Sequence, residues 1–312
     1  MSAISIIIPN YNHAAFLQKR IESIINQTLQ DFEIIILDDC SNDESKDIIE
    51  KYRQHPKVAH IVYNETNSGS PFKQWIKGIG LAKGTYIWIA ESDDWSDIEF
   101  LNKVIPKLET DPEISLCFCR SYRTNEEGNI EGDHLWADQI DSLKWKQDYV
   151  NDGNDEIYNY LVYRNTIANA SACVFRKDAL AEYNFLSDFL YCGDWLLWIK
   201  LIENRKIAFI PEKLNYFRRG TNSTTLRKVK IEKEFIRLKE YFTIINYCKK
   251  KNMLFNIYQI NKYEWIISDW MTKFDLQKNK YMVLFPPIPF HLLLVFYCRV
   301  LKSFIGSKLK LQ

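Results

Sequence analysis

Phe32-Glu33-Ile34-Ile35-Ile36-Leu37-Asp38-Asp39 decides the fold, because it is a run of apolar β-forming residues that ends on an acidic pair. Tyr86-Ile87-Trp88-Ile89-Ala90-Glu91-Ser92-Asp93-Asp94 repeats the arrangement later in the chain. Neither run alternates polar with apolar residues, so both predict buried strands of a parallel sheet. Ligands of such sheets bind beyond the carboxyl ends of the strands. Carboxylates crowded there repel one another unless a cation or hydrogen-bond donors compensate.

Strand and helix patterns alternate through the first 120 residues, which predicts a doubly wound α/β sheet, mixed but mostly parallel. The helix after the first strand places Leu17, Ile21 and Ile24 on one face. The polar stretch 123–155 predicts long loops or hairpins. The remaining predicted strands are 4–9, 59–63, 114–119, 172–176, 207–210 and 214–218, and a further helix covers 194–203.

Length and charge limit the function classes. A chain of 312 residues suits one large domain with an appendage. The formal net charge is +1, and no basic stripe or zinc-finger spacing is present, so nucleic-acid binding is not expected. Seven cysteines without framework spacing favour reduced thiols. The chain runs into its first strand without a secretory pattern, so we expect a cytoplasmic protein, with the inner face of the cell membrane as the alternative location.

The C-terminal part differs in character, so we divide the chain into a catalytic domain (1–226) and a helical extension (227–312). Ile231, Phe235, Leu238, Phe242 and Ile245 predict an amphipathic helix. The tail 281–312 carries apolar runs broken by prolines and is a poor transmembrane span. Six basic and no acidic residues follow Asp275. Such a tail suits contact with an anionic membrane surface, and packing on the core is the equal alternative.

The first strand, 4–9, ends on Pro9-Asn10 rather than on a glycine-rich turn. A dinucleotide-binding fold needs glycine at that point, and no Walker-type loop occurs in the chain. A nucleotide would therefore bind through the acidic pairs. A nucleotide diphosphate with its metal ion would bring the cation and the hydroxyl donors that those carboxylates need.

Three motifs occur in a characteristic order: Ser5–Asn12, Leu37–Asp43 and Trp88–Asp94. Together they resemble glycosyltransferase family 2, whose members are inverting enzymes with the GT-A fold. The resemblance covers roughly residues 3 to 225. It divides the catalytic domain into a nucleotide-binding half (1–120) and an acceptor half (121–226). Cys40 stands where the family usually has glycine.

The resemblance implies a set of nucleotide and metal ligands. Pro9 and Tyr11 would line the nucleotide pocket, and Asp39 would accept a hydrogen bond from the base, usually uracil, whose N3–H is a donor. Asp94 would ligate Mn²⁺ or Mg²⁺, and Asp93 would hold the ribose or a metal-bound water. Hard oxygen ligands suit these ions. The structural alternative for the Asp pair is a helix N-cap.

The resemblance also implies residues that serve the acceptor. Asp194 would be the general base that takes the proton from the acceptor hydroxyl. Trp195 would stack on a sugar ring, and Asn169 and Ser171 would contact acceptor hydroxyls. The alternatives are a helix cap for Asp194, a core position for Trp195 and a simple turn for the segment that contains Asn169.

The resemblance also suggests which basic residues would bind the diphosphate. Arg218 and Arg219 lie in a segment similar to a late family loop that folds over the diphosphate. Gly220 stands where many members have histidine, so the arginines would supply the positive charge. Lys73 is a further nucleotide-binding candidate, with a solvated surface lysine as the alternative.

These interpretations together predict a metal-dependent inverting glycosyltransferase of hexosyltransferase type. Its donor would be a nucleotide sugar, a UDP-sugar by preference, and its acceptor a saccharide or a lipid-linked saccharide in surface polysaccharide or lipid-linked glycan synthesis. Two alternatives remain open at this point. One is a sugar nucleotidyltransferase, which would carry a glycine-rich basic loop after the first strand. The other is a non-catalytic protein that binds sugar nucleotides or glycans.

Overall fold

The computed structural model describes residues 3–133, 137–167, 169–219, 231–253, 293–295 and 297–299. Contacts divide the chain into two units: residues 1–156 with 165–227, and residues 157–164 with 228–312. The predicted division at residue 226/227 remains a proposal. The described residues of the first unit contain ten strands. They are β1 (Ile4–Asn10), β2 (Phe32–Asp38), β3 (Val58–Tyr63), β4 (Tyr86–Ile89), β5 (Trp95–Ser96), β6 (Ile114–Thr124), β7 (Ile130–Asp133), β8 (Tyr149–Asp152), β9 (Cys173–Arg176) and β10 (Lys206–Arg218).

Six α-helices accompany these strands in the described part of the first unit. They are α1 (Ala14–Ile25), α2 (Ser45–Glu50), α3 (Pro71–Leu81), α4 (Phe100–Glu109), α5 (Gly153–Glu156) and α6 (Gly193–Ile202). The strands join in one sheet of order β3-β2-β1-β4-β9-β6-β10-β5, with β7 beside β6 and β8 beside β10. The predicted α/β architecture with a mixed, mostly parallel sheet is confirmed.

Parallel pairing sets the edge at which the functional motifs meet. Asn10 lies opposite Asp38, and Ile7 lies opposite Ile89, so the carboxyl ends of β1, β2 and β4 share one edge of the sheet. β1 and β2 are buried at every position because helices cover both faces. α1 contributes Leu17 to the core below this edge.

β9 runs antiparallel between β4 and β6, and this reversal matters for the site. Trp88 lies opposite Val174, and Phe118 lies opposite Cys173. The segment that enters β9 therefore arrives at the same edge that β4 and β6 leave. Because β9 is antiparallel to β4, the residues near 170 that precede β9 lie beside the loop that follows β4.

The sequence predicted two strands at 207–210 and 214–218, and this division is wrong. β10 is a single strand of 13 residues that pairs with β6. Ile210 lies opposite Cys119 and Lys213 opposite Arg120, so two residues of β10 bulge out between these pairs. Pro211 is one of the two; it has no N–H to give to a ladder and is accommodated at a bulge.

The stretch 123–155, predicted as loops or hairpins, contains the hairpin strand β7 and the strand β8 among short helical turns. The described part of the second unit contains a π-helical turn, Ile157–Leu161, and the helix α7 (Ile231–Lys250). The predicted amphipathic helix is confirmed: Leu238, Phe242 and Ile245 are buried. Most of the tail 281–312 lies outside the described residues. Within the described ranges, no helix has the length and apolarity to cross a bilayer.

Candidate active site

Asp39 follows β2 directly, and its side chain is held by neutral donors. Asn64 Nδ2 donates to Oδ1 at 2.6 Å, and Gln74 Nε2 donates to the same oxygen at 2.8 Å. Ser68 donates twice, from its backbone N–H to Oδ1 at 2.9 Å and from its hydroxyl to Oδ2 at 2.7 Å. We call Asn64, Ser68 and Gln74 the Asp39 shell. It orients the carboxylate without adding charge to the pocket.

The turn after Asp39 keeps the backbone conformation that glycine favours. Cys40 has a φ of 62°, in the left-handed region. Asp38 closes the turn, because its Oδ2 accepts from the Ser41 backbone N–H at 2.9 Å and its Oδ1 accepts from the Ser41 hydroxyl at 2.6 Å. Asn10 also donates to Asp38, at 2.8 Å, and so ties the ends of β1 and β2 together. Cys40 thus holds a left-handed conformation in a turn that the Asp38 contacts close.

The loop that follows β4, residues 91–94, is called here the acidic loop. Glu91 accepts from the indole N–H of Trp75 at 2.9 Å. Burial raises the pKa of Glu91 to about 8, and the neighbouring Asp93 carboxylate adds to this effect. Burial likewise raises the pKa of Asp94 to about 7, again with a contribution from Asp93. Three carboxylates therefore crowd a site in which their negative charge is poorly solvated.

Arg20 of α1 is a buried cation beneath the acidic loop. Its side chain is 0% exposed, and its Nε donates to the backbone oxygen of Glu91 at 2.8 Å. Its Nη2 lies 4.0 Å from Asp94 Oδ2. Burial lowers the pKa of Arg20 to about 10, which leaves the guanidinium protonated at neutral pH. This guanidinium thus lies beneath a loop that carries three carboxyl groups.

Asp94 is held from two sides by later parts of the chain. Its Oδ1 accepts from the backbone N–H of Arg218 at 3.0 Å, at the end of β10. Its Oδ2 accepts from Asn169 Nδ2 at 3.1 Å. The backbone N–H of Glu91 donates to the Ser171 hydroxyl at 3.1 Å. Asn169 and Ser171, predicted to contact the acceptor, are buried and support the acidic loop instead.

Arg218 was predicted to bind the diphosphate, but its side chain is occupied within the protein. Its Nε donates to the backbone oxygen of Asp93 at 2.9 Å, and its Nη1 donates to the backbone oxygen of Glu126. The guanidinium also lies 4.2 Å from the centre of the Phe16 ring. The described structure therefore gives Arg218 the role of fixing the acidic loop. Arg219 is exposed, and residues 220–230 of the predicted diphosphate loop lie outside the described residues.

The acidic loop offers two adjacent carboxylates, Asp93 and Asp94, to a divalent ion whose remaining ligands would come from elsewhere. Asp93 and Asp94 supply hard carboxylate oxygens, and the raised pKa of Asp94 indicates that additional positive charge would stabilise the site. No group of three His, Cys, Asp or Glu side chains that could hold an ion occurs among the described residues. Mg²⁺ and similar ions are commonly bound through one or two carboxylates, with phosphate oxygens and waters completing the coordination. The chemistry of the donor set agrees with that pattern.

Asp194 lies in the first turn of α6 and is partly exposed. Its Oδ2 accepts from Asn165 Nδ2 at 2.9 Å. Asp194 is close enough to Cys173 to contribute to the raised pKa of that thiol, for which burial is the main cause. The Cys173 thiol in turn donates to the backbone oxygens of Asn169, at 3.7 Å, and Ala170, at 3.2 Å.

Short chains of contacts connect the three aspartates. Asn169, which touches Asp94, is also a partner of Cys173 near Asp194. On the other side, the hydroxyl of Ser70, the N-cap of α3, donates to the backbone oxygen of Phe189 at 2.9 Å. Phe189 lies next to Gly193, where a Cβ atom would be 3.0 Å from the Phe189 Cβ and 3.1 Å from the Phe72 ring. The start of α6 is therefore packed against the start of α3, which also carries Gln74 of the Asp39 shell.

The other predicted site residues occupy different environments. Pro9 is buried in β1 opposite Leu37, whereas Tyr11 just beyond it is 40% exposed. Lys73 is exposed, and its Nζ donates to the backbone oxygen of Ser68 at 2.9 Å. Trp195 is only 2% exposed, so it has little surface to offer a sugar ring, and the alternative of a core position is the better description.

Sequence reasoning missed most residues that surround the aspartates, among them Arg20, Gln74 and Glu91. Glu91 was quoted within its motif but given no role. Arg20 carries a detectable signal, because an arginine next to Ile21 stands on the apolar face of α1 and must be neutralised where it is buried. Gln74 carries none, because its partner Asp39 is 35 residues away.

Comparison with known proteins agrees with the geometry. The model of the family "Glycosyl transferase family 2" matches residues 5–183, more than half of the chain. An uncharacterised glycosyltransferase of Methanocaldococcus jannaschii is 30% identical over 259 residues, which cover 82% of this chain and 83% of the relative. The chain belongs to glycosyl transferase family 2. This membership favours glycosyl transfer over the nucleotidyltransferase and non-catalytic alternatives.

Two further similarities extend the comparison. Escherichia coli chondroitin synthase is 27% identical over 279 residues, which cover 84% of this chain but 36% of that protein. The crystal structure of residues 1–349 of S. aureus TarS in complex with UDP-GlcNAc superposes with a TM-score of 0.61 at 17% identity, over 89% of this chain and 76% of that one. The predicted GT-A fold is confirmed.

Proposed function

We propose that this glycosyltransferase is an inverting enzyme that moves a sugar from a UDP-sugar to a hydroxyl of a saccharide or lipid-linked saccharide. The fixed Asp39 carboxylate supports the donor, since it can accept the N3–H of uracil. The UDP-GlcNAc complex of the similar TarS structure supports the same donor class. The similarity to chondroitin synthase supports an acceptor that belongs to a growing glycan.

The acidic loop would hold Mn²⁺ or Mg²⁺ together with the diphosphate. Asp94 and Asp93 are the proposed ligands, and Arg20 and Arg218 keep the loop in place from below and from β10. When bound, the ion would neutralise the charge that develops on the departing diphosphate. Lys73 and Arg219 are exposed and remain candidates for the diphosphate, whereas Arg218 is retained as a support.

Asp194 is the proposed general base. Its carboxylate would take the proton of the acceptor hydroxyl while the acceptor oxygen forms a bond to the anomeric carbon. The bond from that carbon to the diphosphate oxygen breaks on the opposite face, and UDP leaves with the bonding electrons. Attack and departure on opposite faces invert the anomeric configuration. Asn165, at 2.9 Å, orients the carboxylate.

One observation carries this proposal: the start of α3, which bears Gln74 of the Asp39 shell, packs against the start of α6, which bears Asp194, while Asn169 links Asp94 to Cys173, whose pKa the Asp194 charge helps to raise. Asp194 is the second residue of α6, whose N-cap residue is Cys192, so its carboxylate does not occupy the N-cap position that the structural alternative requires.

Replacement of the base tests the proposal most directly. We expect Asp194→Asn to lower kcat by roughly 10²- to 10⁴-fold, the usual contribution of a positioned base, while the Kd for UDP stays unchanged. Single-turnover transfer and calorimetric titration with UDP measure the two quantities. Asp31→Asn, an exposed residue before β2 at the opposite edge of the sheet, is the control and should leave both unchanged. Full transfer by Asp194→Asn would remove the assigned base.

We also propose peripheral contact with anionic membrane through the tail 281–312. The support is its sequence alone, since apart from residues 293–295 and 297–299 the tail lies outside the described residues. Deletion of 281–312 should reduce co-sedimentation with phosphatidylglycerol vesicles and leave UDP binding intact. Equal sedimentation of both forms would indicate that the tail packs on the protein.

A further inference from the structure

We propose that the Asp39 shell makes the site selective for a base with a single imino donor, and that Asn64 and Gln74 are the residues that exclude guanine. The inference rests on the proposed function, because it assumes that Asp39 faces the base of a nucleotide donor. It goes beyond that function by naming the groups that decide which base is accepted.

The number of free acceptor positions on Asp39 carries the inference. Each carboxylate oxygen has two lone pairs. Oδ1 already accepts from Asn64 Nδ2, the Ser68 backbone N–H and Gln74 Nε2, at 2.6, 2.9 and 2.8 Å. Among the described residues, Oδ2 accepts from the Ser68 hydroxyl alone, at 2.7 Å. The carboxylate therefore has one position left for a ligand, and that position is on Oδ2.

The bases differ in how many donors they present to such a group. Uracil has a single donor on this edge, N3–H, between two carbonyl groups. Guanine has two adjacent donors, N1–H and one N2–H, which a free carboxylate would accept with one oxygen each. At Asp39 the second guanine donor would meet Oδ1, whose acceptor positions are already occupied. An unpaired buried donor weakens binding by roughly tenfold or more.

The shell cannot easily rearrange to free Oδ1. Asn64 Oδ1 accepts from the ammonium group of Lys77 at 2.6 Å, so its amide is oriented with Nδ2 toward Asp39. A flipped amide would place oxygen against the carboxylate and nitrogen against the ammonium, and both contacts are repulsive. Gln74 is 3% exposed, and its Nε2 also contacts the Ser68 hydroxyl at 3.1 Å. A flip there would likewise turn Oε1 toward Asp39.

A comparison of three nucleotides tests the inference without changing the protein. Dissociation constants of UDP, GDP and IDP are measured by calorimetry with Mn²⁺ present. IDP has the size of GDP but lacks the 2-amino group, so its purine presents a single donor. We expect UDP to bind most tightly and IDP to bind roughly tenfold more tightly than GDP. GDP binding as tight as that of IDP would overturn the inference.

The protein-side test frees the blocked oxygen. The double variant Asn64→Ala/Gln74→Leu leaves only the Ser68 N–H on Oδ1, so the ratio of the GDP and IDP dissociation constants should fall toward one. Asn102→Ala/Gln18→Leu, which changes the same residue types at exposed positions on α4 and α1, should keep the wild-type ratio. An unchanged ratio in a folded double variant, checked by thermal melting, would also overturn the inference.

The possible outcomes distinguish a failure of this inference from a failure of the proposed function on which it rests. If the wild-type protein binds none of the three nucleotides, the proposed function fails and the inference fails with it. If UDP binds but GDP and IDP bind equally, the nucleotide site stands and the role of the shell does not. Should the double variant not fold, the GDP and IDP comparison on the wild-type protein still decides.

Discussion

Asp39 and Asp94 both follow buried parallel strands at one edge of the sheet, but the protein holds them in opposite ways. Asp39 accepts four hydrogen bonds from amides and hydroxyl groups. Asp94 accepts from Arg218 and Asn169 and lies beside other carboxylates, with the Arg20 guanidinium 4.0 Å away. Aspartate is thus held by neutral hydrogen-bond donors at one position and crowded by other carboxylates at the other.

Under the proposed function, this difference explains how one edge of the sheet would bind both ends of a nucleotide diphosphate. Neutral donors fix the direction of a carboxylate and leave a defined acceptor position, which suits recognition of a base. Crowded carboxylates with too little cation favour the uptake of positive charge, which suits a divalent ion. The comparison predicts that changes at the two aspartates affect different ligands.

Asp94→Asn should have the largest effect. Removal of the proposed metal ligand should lower Mn²⁺-dependent transfer by roughly a hundredfold or more, because the leaving diphosphate loses its counter-charge. The binding of Mn²⁺, followed by electron paramagnetic resonance in the presence of UDP, should weaken in parallel. Asp31→Asn again serves as the control. Normal Mn²⁺ affinity in Asp94→Asn would mean that another group holds the ion.

Asp39→Asn should have an intermediate effect on a different ligand. The amide nitrogen would present a donor to uracil N3–H or to the Asp39 shell, so the Kd for UDP should rise by about tenfold. Binding of Mn²⁺ in the absence of nucleotide should not change. If Asp39→Asn lowered the Mn²⁺ affinity as much as the UDP affinity, the two aspartates would not bind separate parts of the ligand, and the proposed contrast between them would be wrong.

The smallest expected effect is a change of the free energy of unfolding with pH. It should arise from the acidic loop and not from Asp39. The folded-state pKa of Asp94 is raised from 3.8 to about 7 and that of Glu91 from 4.5 to about 8, so the folded protein binds these protons more tightly than the unfolded chain. Their contribution to stability is complete below pH 4 and is lost as the pH rises through 7 and 8. The slope is on the order of 1 kcal/mol per pH unit for each group.

Urea unfolding of the metal-free protein between pH 5 and pH 9 measures this loss. Mn²⁺ should stabilise the protein more at pH 8 than at pH 6, because the ion replaces the protons. In Asp94→Asn the loss between pH 5 and pH 7 should shrink, whereas in Asp39→Asn the wild-type slope should remain. Equal slopes in wild type and Asp94→Asn would contradict the electrostatic account of the acidic loop.

Much of this molecule could be predicted from residue patterns. The strand predicted within Phe32–Asp39 corresponds to β2, because a strand buried on both faces needs a continuous apolar segment such as 34–37. Two strands were predicted in place of β10 because a proline such as Pro211 usually ends a strand. Here a bulge accommodates Pro211, and the pairing with β6 continues beyond it. The roles of Asn169 and Ser171 were missed because a turn into a strand does not show which strand lies beside it.

Residue order alone established the family, the α/β alternation and the three candidate aspartates, since local patterns and short motifs carry that information. The folded chain decided what surrounds each of them. Gln74 reaches Asp39 across 35 residues, and Arg218 reaches Asp94 across 124. Such partners depend on the pairing of β9 and β10 within the sheet and on the packing of α3, and long-range pairing leaves no local trace. Whether a carboxylate binds a base or a metal ion therefore follows from its neighbours in space.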